Sequence, residues 1–182
     1  PPVQLACHEG KLPDLLVQLT THRLDVVLSD EPASPGITAK VFNHFLGGCG
    51  VTFCAMPVLA RKLKGRFPRS LHGAPALLPT QNCFLRRDLE KWFREVNVQP
   101  RVIAEFEDAA LTKIVATRGI GIIAVPSLVE AEAVERFGFV PVGRTKDIET
   151  QFYAITAERR LTHPAILAIT TQKQSRPTKA KR

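Results

Sequence analysis

Four polar clusters in the sequence follow runs of residues that predict β-strands. They lie at positions 8–9, 29–31, 80–82 and 107–108. Open α/β sheets bind ligands at the carboxyl ends of their parallel strands, so these clusters predict a binding site. The side chains expected to bind the ligand are Glu9, Ser29, Asp30, Glu31, Thr80, Gln81, Glu107 and Asp108.

Two of the four clusters contain pairs of acidic residues, which disfavour a carboxylate ligand and favour a cation. Repulsion between neighbouring carboxylates is costly unless a proton or a cation relieves it. Asp30, Glu107 and Asp108 are therefore the candidate ligands of a small hard cation. Two alternatives stay open: Asp108 is only a helix cap and Asp30 only a turn former, or the ligand is an organic anion held by the amides of helices that start near Asn82 and Ala109.

The stretch 105–126 predicts the elements that position the last cluster. Asp108 is placed to accept hydrogen bonds from the first free amides of a helix. Leu111, Ile114 and Val115 follow at the spacing of an apolar helix face, which we expect to pack on the core. The stretch therefore predicts a helix that begins at the acidic cluster.

A buried strand and a further helix are predicted after this one. Gly119 suits the positive φ of a helix C-terminus, and the apolar run 120–125 is typical of a strand covered on both faces. Pro126 is placed to open the next helix. A strand, helix, strand and helix of these lengths indicate a parallel sheet with helices packed on it.

The rest of the chain alternates between the same two kinds of element. Strands are predicted at 3–7, 24–28, 41–46, 51–55, 74–78, 139–142 and 148–157, with a sharp glycine turn or hinge at 47–50. Helices are predicted at 12–23, 57–64, 85–96, 127–137 and 164–172. In the 85–96 helix we expect Trp92 to anchor the core and Arg86 and Glu90 to lie on the outer face.

Composition indicates a soluble globular protein of one domain or two small lobes. The chain has 182 residues, 45% of them hydrophobic, and its apolar runs are too short to span a membrane. It has no initiator Met, which suggests a piece of a longer protein. The four cysteines match no zinc spacing, so we expect reduced, mostly buried thiols in a cytoplasmic protein and no cofactor.

The net charge of +8 is concentrated in two short stretches. One is 58–69 and the other is the last ten residues, whereas the remaining chain is slightly acidic. The tail at 175–182 is disordered by composition and would attract phosphate only weakly. The folded body therefore does not predict recognition of a DNA sequence.

The motifs of common enzymes are absent from the sequence. It has no Gly-x-Ser-x-Gly elbow, no phosphate-binding loop and no His-Glu-x-x-His. Gly119 and Gly121 stand at a helix-to-strand turn, whereas a dinucleotide fingerprint must leave a strand and open a helix. We therefore expect a binding protein and not an enzyme.

The segments 24–32, 57–60 and 115–126 resemble the recurrent pattern of the effector-binding domain of LysR-type transcriptional regulators. The resemblance implies an α/β protein with the two-lobed fold of type II periplasmic binding proteins. Each lobe would be a mostly parallel sheet flanked by helices, with the effector in the cleft and crossovers near Gly50 and Ile148. Lobe one would comprise 1–50 and 149–174, and lobe two 51–148.

The same resemblance implies that part of the regulator is absent from this sequence. The winged helix-turn-helix, the linker helix and the first strand-helix unit of lobe one would precede Pro1. DNA would be bound only through that missing N-terminal domain. Losing a strand between 3–7 and 24–28 would make the chain less stable than the intact domain.

A narrower similarity is carried by 28–32, 105–113 and 157–165. These segments are similar to members of the family that activate sodium/proton antiporter genes. The similarity implies a response to sodium and pH, with sodium bound by Asp30, Glu107 and Asp108. The alternatives are a LysR-type sensor of a small organic anion and a periplasmic solute receptor, which the unpaired cysteines disfavour.

The resemblance also implies that the domain self-associates as a homodimer or homotetramer. We expect the contact to join the strand 3–7 and the helix 12–23 of one chain to the helix 127–137 of another, about a two-fold axis. The expected partners are therefore a second copy of the chain and a small effector, with no membrane.

Overall fold

The computed structural model describes residues 3–34, 40–158 and 164–171. The chain divides into two compact units: Pro1–Gly48 together with Gln151–Arg182, and the continuous stretch Cys49–Thr150. The assignment of these stretches to regulatory lobes one and two stays a prediction. The tail at 175–182, predicted to be disordered, lies outside the described residues.

The first unit is built from short elements that come before and after the second unit in the sequence. Its helices are α1 (Leu12–Thr20) and α6 (Pro164–Thr171), and its short strand is β1 (Val27–Ser29). Two longer strands, β2 (Phe42–Ala55) and β6 (Val140–Thr156), have one end in each unit. The apolar face of α1 buries Leu16 and Leu19 beside Val27 and Ile155, which form the core of this unit.

The second unit contains four further helices and three further strands. They are α2 (Pro57–Leu63), β3 (Pro75–Pro79), α3 (Phe84–Glu95), β4 (Arg101–Phe106), α4 (Ala109–Ala116), β5 (Ile123–Pro126) and α5 (Glu130–Phe137). Single 3-10 turns occupy Arg69–Leu71 and Ser127–Val129. No helix among the described residues is long and apolar enough to cross a membrane.

An aromatic cluster fills the core of the second unit. The Phe53 and Trp92 rings stack with centroids 5.3 Å apart, and Phe67 and Phe93 pack against both. Trp92 is buried and donates its indole N–H to Asp147 Oδ2 at 3.1 Å. The prediction that Trp92 anchors the core is confirmed.

The strands pair in both directions. The pair β3–β4 is parallel, and Ala76 of β3 also forms a parallel bridge with Ile122 just before β5, whereas β1–β6 and β2–β5 are antiparallel in a sheet ordered β1-β6-β2-β5. A parallel neighbour needs a crossover that returns the chain to the same edge of the sheet. The strands β2 and β6 each begin in the sequence range of one unit and end in that of the other.

Several predicted strand boundaries are wrong. The glycines at 47–50 make no turn, because β2 continues through them, and the predicted strands 139–142 and 148–157 are one strand, β6. Residues 3–7 form no strand, and Val3 and Leu5 are exposed, because no strand of the described chain pairs with this segment. Of the predicted strand 24–28, only the end belongs to β1.

Of the apolar stripe predicted for α4, only Val115 packs against the core. Leu111 and Ile114 are 45% and 58% exposed, whereas Ala116 is fully buried and Val115 partly so. Helix α4 packs on the core through Ala116 and Val115, and Leu111 and Ile114 remain at the surface.

The four cysteines are free thiols, but they are less buried than predicted. Only Cys54 is buried, while Cys7 is exposed and Cys49 and Cys83 are intermediate. Cys7 is exposed because it belongs to the segment that forms no strand.

Candidate functional site

The parallel pair β3–β4 brings two of the predicted polar clusters to one edge of its sheet. The last paired residues are Pro79 and Phe106, and the Thr80 amide donates to the Phe106 carbonyl at 3.1 Å. Thr80 and Gln81 therefore leave the sheet beside Glu107 and Asp108. The sequence predicts this arrangement from the strand ends alone.

Asp108 caps helix α4. Its Oδ1 accepts hydrogen bonds from the Ala110 and Leu111 amides at 2.6 and 3.0 Å. The cap satisfies two of the four amide groups that a helix start leaves free, and it places a negative charge at the positive end of the helix dipole. The interpretation of Asp108 as a helix cap is confirmed. Because its carboxylate accepts hydrogen bonds from these amides, they are not free to hold an organic anion near Ala109.

Glu107 immediately precedes this cap and is exposed. Its carboxylate makes no hydrogen bond or ion pair with the part of the chain that the structure describes. Together with Oδ2 of Asp108 and nearby backbone carbonyls, it can supply oxygen ligands at the strand edge. No group of three or more His, Cys, Asp and Glu side chains among the described residues is placed to hold a metal ion. A cation bound here would therefore depend on backbone oxygens.

The start of helix α3 lies at the same edge and has no side-chain cap. Its N-cap residue, Cys83, makes no capping hydrogen bond through its thiol, and the Cys83 amide donates to the Thr80 carbonyl at 3.1 Å. The amides of the first helical turn thus remain uncapped by side chains. This helix start, unlike that of α4, leaves its positive end open to an anion.

Arg86 is a central residue of this edge that the sequence analysis missed. It was expected on the outer face of α3 but is only 5% exposed. Its Nη1 donates to the Pro79 carbonyl and to Glu105 Oε1, both at 2.7 Å, and its Nε donates to Glu90 Oε1 at 2.8 Å. One guanidinium therefore joins β3, α3 and β4 directly behind the polar clusters.

The charge of Arg86 is stabilised by its two carboxylate partners. Burial alone lowers its pKa, but the hydrogen bonds to Glu105 and Glu90 outweigh burial and raise it. Gln81 joins the same network, since its Nε2 donates to Glu90 Oε1 at 3.4 Å. The one signal in the sequence was the i,i+4 spacing of Arg86 and Glu90 on a helix.

The remaining candidates belong to the first unit. Ser29 ends β1, and its Oγ accepts a hydrogen bond from the Glu31 amide at 3.1 Å. Asp30 is exposed within this tight turn, which fits its alternative role as a turn former. Glu9 is exposed in the segment before α1, which has no regular structure. In the first unit, the described contacts join Ser29 to Glu31 but do not bring Glu9 to them.

A second polar network, also missed from the sequence, lies in the second unit between β2, α5 and β6. Glu130 Oε2 accepts from Thr52 Oγ1 and Arg144 Nε, both at 2.7 Å, and Thr52 Oγ1 bonds Ser127 Oγ at 2.9 Å. The hydrogen bond from Arg144 is the main cause that lowers the pKa of Glu130, against the effect of burial. Nearby, burial and then Glu130 raise the pKa of Cys54 to about 12.

Comparisons with known proteins agree with this architecture. The model of the LysR substrate binding domain matches residues 1–172. The chain is 32% identical over 169 residues to the transcriptional activator protein NhaR of Escherichia coli, covering 92% of this chain. It covers 55% of NhaR, so it spans about half the length of that relative.

Solved structures share the fold at lower identity. The effector binding domain of QuiR, solved in complex with shikimate, has a TM-score of 0.63 at 13% identity, covering 88% of this chain and 75% of that one. Full-length CbnR, solved in complex with its target DNA, has a TM-score of 0.64 at 18% identity. The match covers 87% of this chain and 54% of the CbnR chain. The α/β fold of LysR regulatory domains, which is of the type II periplasmic-binding kind, is thereby confirmed.

The family match covers nearly the whole chain, and the family consists of transcriptional regulators and not of enzymes. The chain belongs to the LysR family of transcriptional regulators, of which it carries the substrate-binding domain.

Proposed function

We propose that this domain senses sodium for a LysR-type activator of sodium/proton antiporter genes, with a response that depends on pH. The observation that carries the proposal is the acidic cluster Glu107–Asp108 at the edge of the β3–β4 sheet, beside Thr80 and Gln81. The similarity to NhaR supports the activator role.

The cation would be held by carboxylate and carbonyl oxygens. In the second unit the ligands would be the Glu107 carboxylate and Oδ2 of Asp108, and Asp30 is a separate candidate ligand in the first unit. Binding would be weak, because a monovalent ion gains little relative to its own hydration.

The test is the melting temperature of the chain in sodium chloride against potassium chloride at matched ionic strength. A ligand that binds only the folded state raises stability as its concentration passes the dissociation constant. We expect a higher melting temperature in sodium, a smaller difference for Glu107→Gln and for Asp30→Asn, and no change for the control Glu132→Gln. Equal melting temperatures of the wild-type chain in the two salts would exclude the cation site.

A small organic anion is the second candidate effector. The uncapped start of α3 favours it, as does the binding of shikimate by the QuiR domain. An anion there would accept hydrogen bonds from the first amides of α3 and from Gln81. Stabilisation by small carboxylates at constant sodium, lost in Gln81→Ala, would favour this effector over the cation.

We also propose that the domain works in the cytoplasm as a homodimer or homotetramer. Sequence-specific recognition of DNA would belong to an N-terminal helix-turn-helix domain. Effector binding would change the arrangement of the oligomer and with it the spacing of those DNA-binding domains.

A further inference from the structure

A long part of the sequence contains no acidic residue. Between Glu31 and Asp88 there is no Asp or Glu, whereas the basic residues in this interval are Lys40, Arg61, Lys62, Lys64, Arg66, Arg69, Arg86 and Arg87. Five of these eight lie within nine positions, from Arg61 to Arg69. The charge of this stretch is therefore not balanced by its own sequence.

The structure leaves these five cations unpaired. Arg61, Lys62, Lys64, Arg66 and Arg69 are all exposed, and no ion pair of the described chain involves any of them. Their nearest regular elements are the last turn of α2 and the 3-10 turn that follows it. The dipole of α2 accounts for a cation in its last turn but not for those beyond it.

Three of the cations surround a surface hollow of about 740 Å³. Lys62, Arg66 and Arg69 line it, together with the Phe67 ring and the imidazole of His72. No acidic side chain is among its lining residues. The hollow is therefore a basic concavity on the second unit.

A second hollow of about 480 Å³ shares His72 with the first. Arg94 and the buried Arg86 line it, with Glu90 as the acidic member. The His72 Nδ1 accepts a hydrogen bond from the Gln99 amide at 3.3 Å, so in the neutral ring the N–H lies on Nε2. Arg94 is exposed and forms no ion pair with the described residues. The two hollows thus form one basic track with His72 between them.

We propose that this basic track, Lys62, Arg66, Arg69, His72 and Arg94, binds the phosphodiester backbone of duplex DNA without reading its sequence. Charge complementarity carries the proposal: the track presents unpaired cations across two adjoining hollows, and duplex DNA presents phosphates at regular intervals.

Duplex DNA is favoured over an acidic protein because the chain belongs to a family of transcriptional regulators, of which CbnR is solved on its target DNA. Recognition of the DNA sequence would still belong to the separate N-terminal domain. The contact proposed for this domain adds affinity and positions it on the DNA. This proposal replaces the expectation from the sequence that DNA is bound only through the N-terminal domain.

The experiment measures binding of a scrambled duplex to the 182-residue chain by fluorescence anisotropy over a series of potassium chloride concentrations. The test variant carries Lys62→Gln, Arg66→Gln and Arg69→Gln. The control carries Arg23→Gln, Arg118→Gln and Lys146→Gln, three exposed cations outside the track, and has the same net charge. Both keep the basic C-terminal residues.

We expect the test variant to lose about one unit of the slope of log K against log salt for each cation removed, and roughly tenfold or more in affinity at low salt. The control should keep the wild-type slope. If the triple variant does not fold, the single variants Arg66→Gln and Arg69→Gln replace it. Each is expected to lower the slope of log K against log salt by about one unit.

Equal losses in the test and control variants would overturn the proposal, because general charge would then account for binding. Displacement of the duplex by poly-glutamate at the same concentration of charges would also overturn it and indicate an acidic protein partner. Displacement by inorganic phosphate at matched ionic strength would indicate a site for free phosphate instead.

Discussion

The Nη1 atom of Arg86 lies 2.7 Å from Oε1 of Glu105, and this contact joins helix α3 to strand β4 two residues before Glu107. The same atom donates to the Pro79 carbonyl, one residue before Thr80. Both polar clusters of the β3–β4 edge are thus fixed by one buried guanidinium.

Replacing Arg86 by Met should lower the free energy of unfolding by about 2 kcal/mol, because charge-assisted hydrogen bonds are lost and Glu90 and Glu105 lose their partner. The loss is limited because both carboxylates are partly exposed and regain water. Urea denaturation measures it. The control Arg87→Met removes an exposed cation that lies over the Phe84 ring, and it should cost less than about 1 kcal/mol. Equal losses in the two variants would contradict the bridging role of Arg86.

The Glu130 carboxylate should make stability depend on pH in the acid range. Its pKa in the folded protein is below the ordinary 4.5, chiefly because Arg144 donates hydrogen bonds to it. The stabilisation is therefore complete above the unfolded pKa and is lost as pH falls through the lower, folded pKa. The difference in unfolding free energy between wild type and Glu130→Gln should be largest near neutral pH and shrink below about pH 4.5. The control Glu132→Gln, which removes an exposed ion pair with Arg136, should show a much smaller dependence.

The Cys54 thiol should resist alkylation in the folded protein. Its pKa of about 12, raised by burial and by Glu130, leaves almost no thiolate at about pH 8. Exposed Cys7 should react quickly with iodoacetamide under the same conditions. Mass spectrometry of the labelled peptides measures both rates. Labelling of Cys54 as fast as Cys7 without unfolding would contradict the buried position.

Replacing Gly50 by Ala should destabilise the second unit. A Cβ at this position of β2 would lie 2.4 Å from the Thr145 carbonyl oxygen of β6, so the backbone must shift. We expect a loss of about 2 kcal/mol, in the range of overpacked core sites. In the control Gly10→Ala, the nearest atom is the end of the flexible Leu15 side chain at 3.3 Å. In thermal denaturation, the melting temperature of Gly50→Ala should be clearly lower than that of Gly10→Ala.

Features that depend on neighbouring residues could be predicted from the sequence. Asp108 caps α4, Gly119 has a φ of 73°, and Trp92 is buried in the core. Each follows from a capping preference, a steric requirement or a helical period that spans a few residues. The placement of the clusters at 80–82 and 107–108 after strands β3 and β4 could be predicted for the same reason, whereas the cluster at 8–9 follows no strand.

Features that depend on distant partners could not be predicted in this way. The burial of Arg86 is possible because Glu105, 19 residues along the chain, supplies a carboxylate on the next strand. The face that α4 turns to the core depends on how closely Ala116 lets the helix approach. The antiparallel pairing of β1 with β6 and of β2 with β5 joins segments far apart in the chain, which no local pattern encodes.

The division of the chain also determines the order in which the protein can fold as it is synthesised. The second unit is one uninterrupted stretch, whereas β1 of the first unit pairs with residues 153–155 at the end of β6. Roughly 125 residues must be added before that partner emerges, which takes about 6 to 25 s at ordinary rates of translation. During this interval the second unit can fold, while the backbone groups of β1 that pair with β6 remain unpaired. A ribosome that stops just after Thr150 would release a chain with a complete second unit and an unpaired β1, and such a chain would be a substrate for chaperones and proteases.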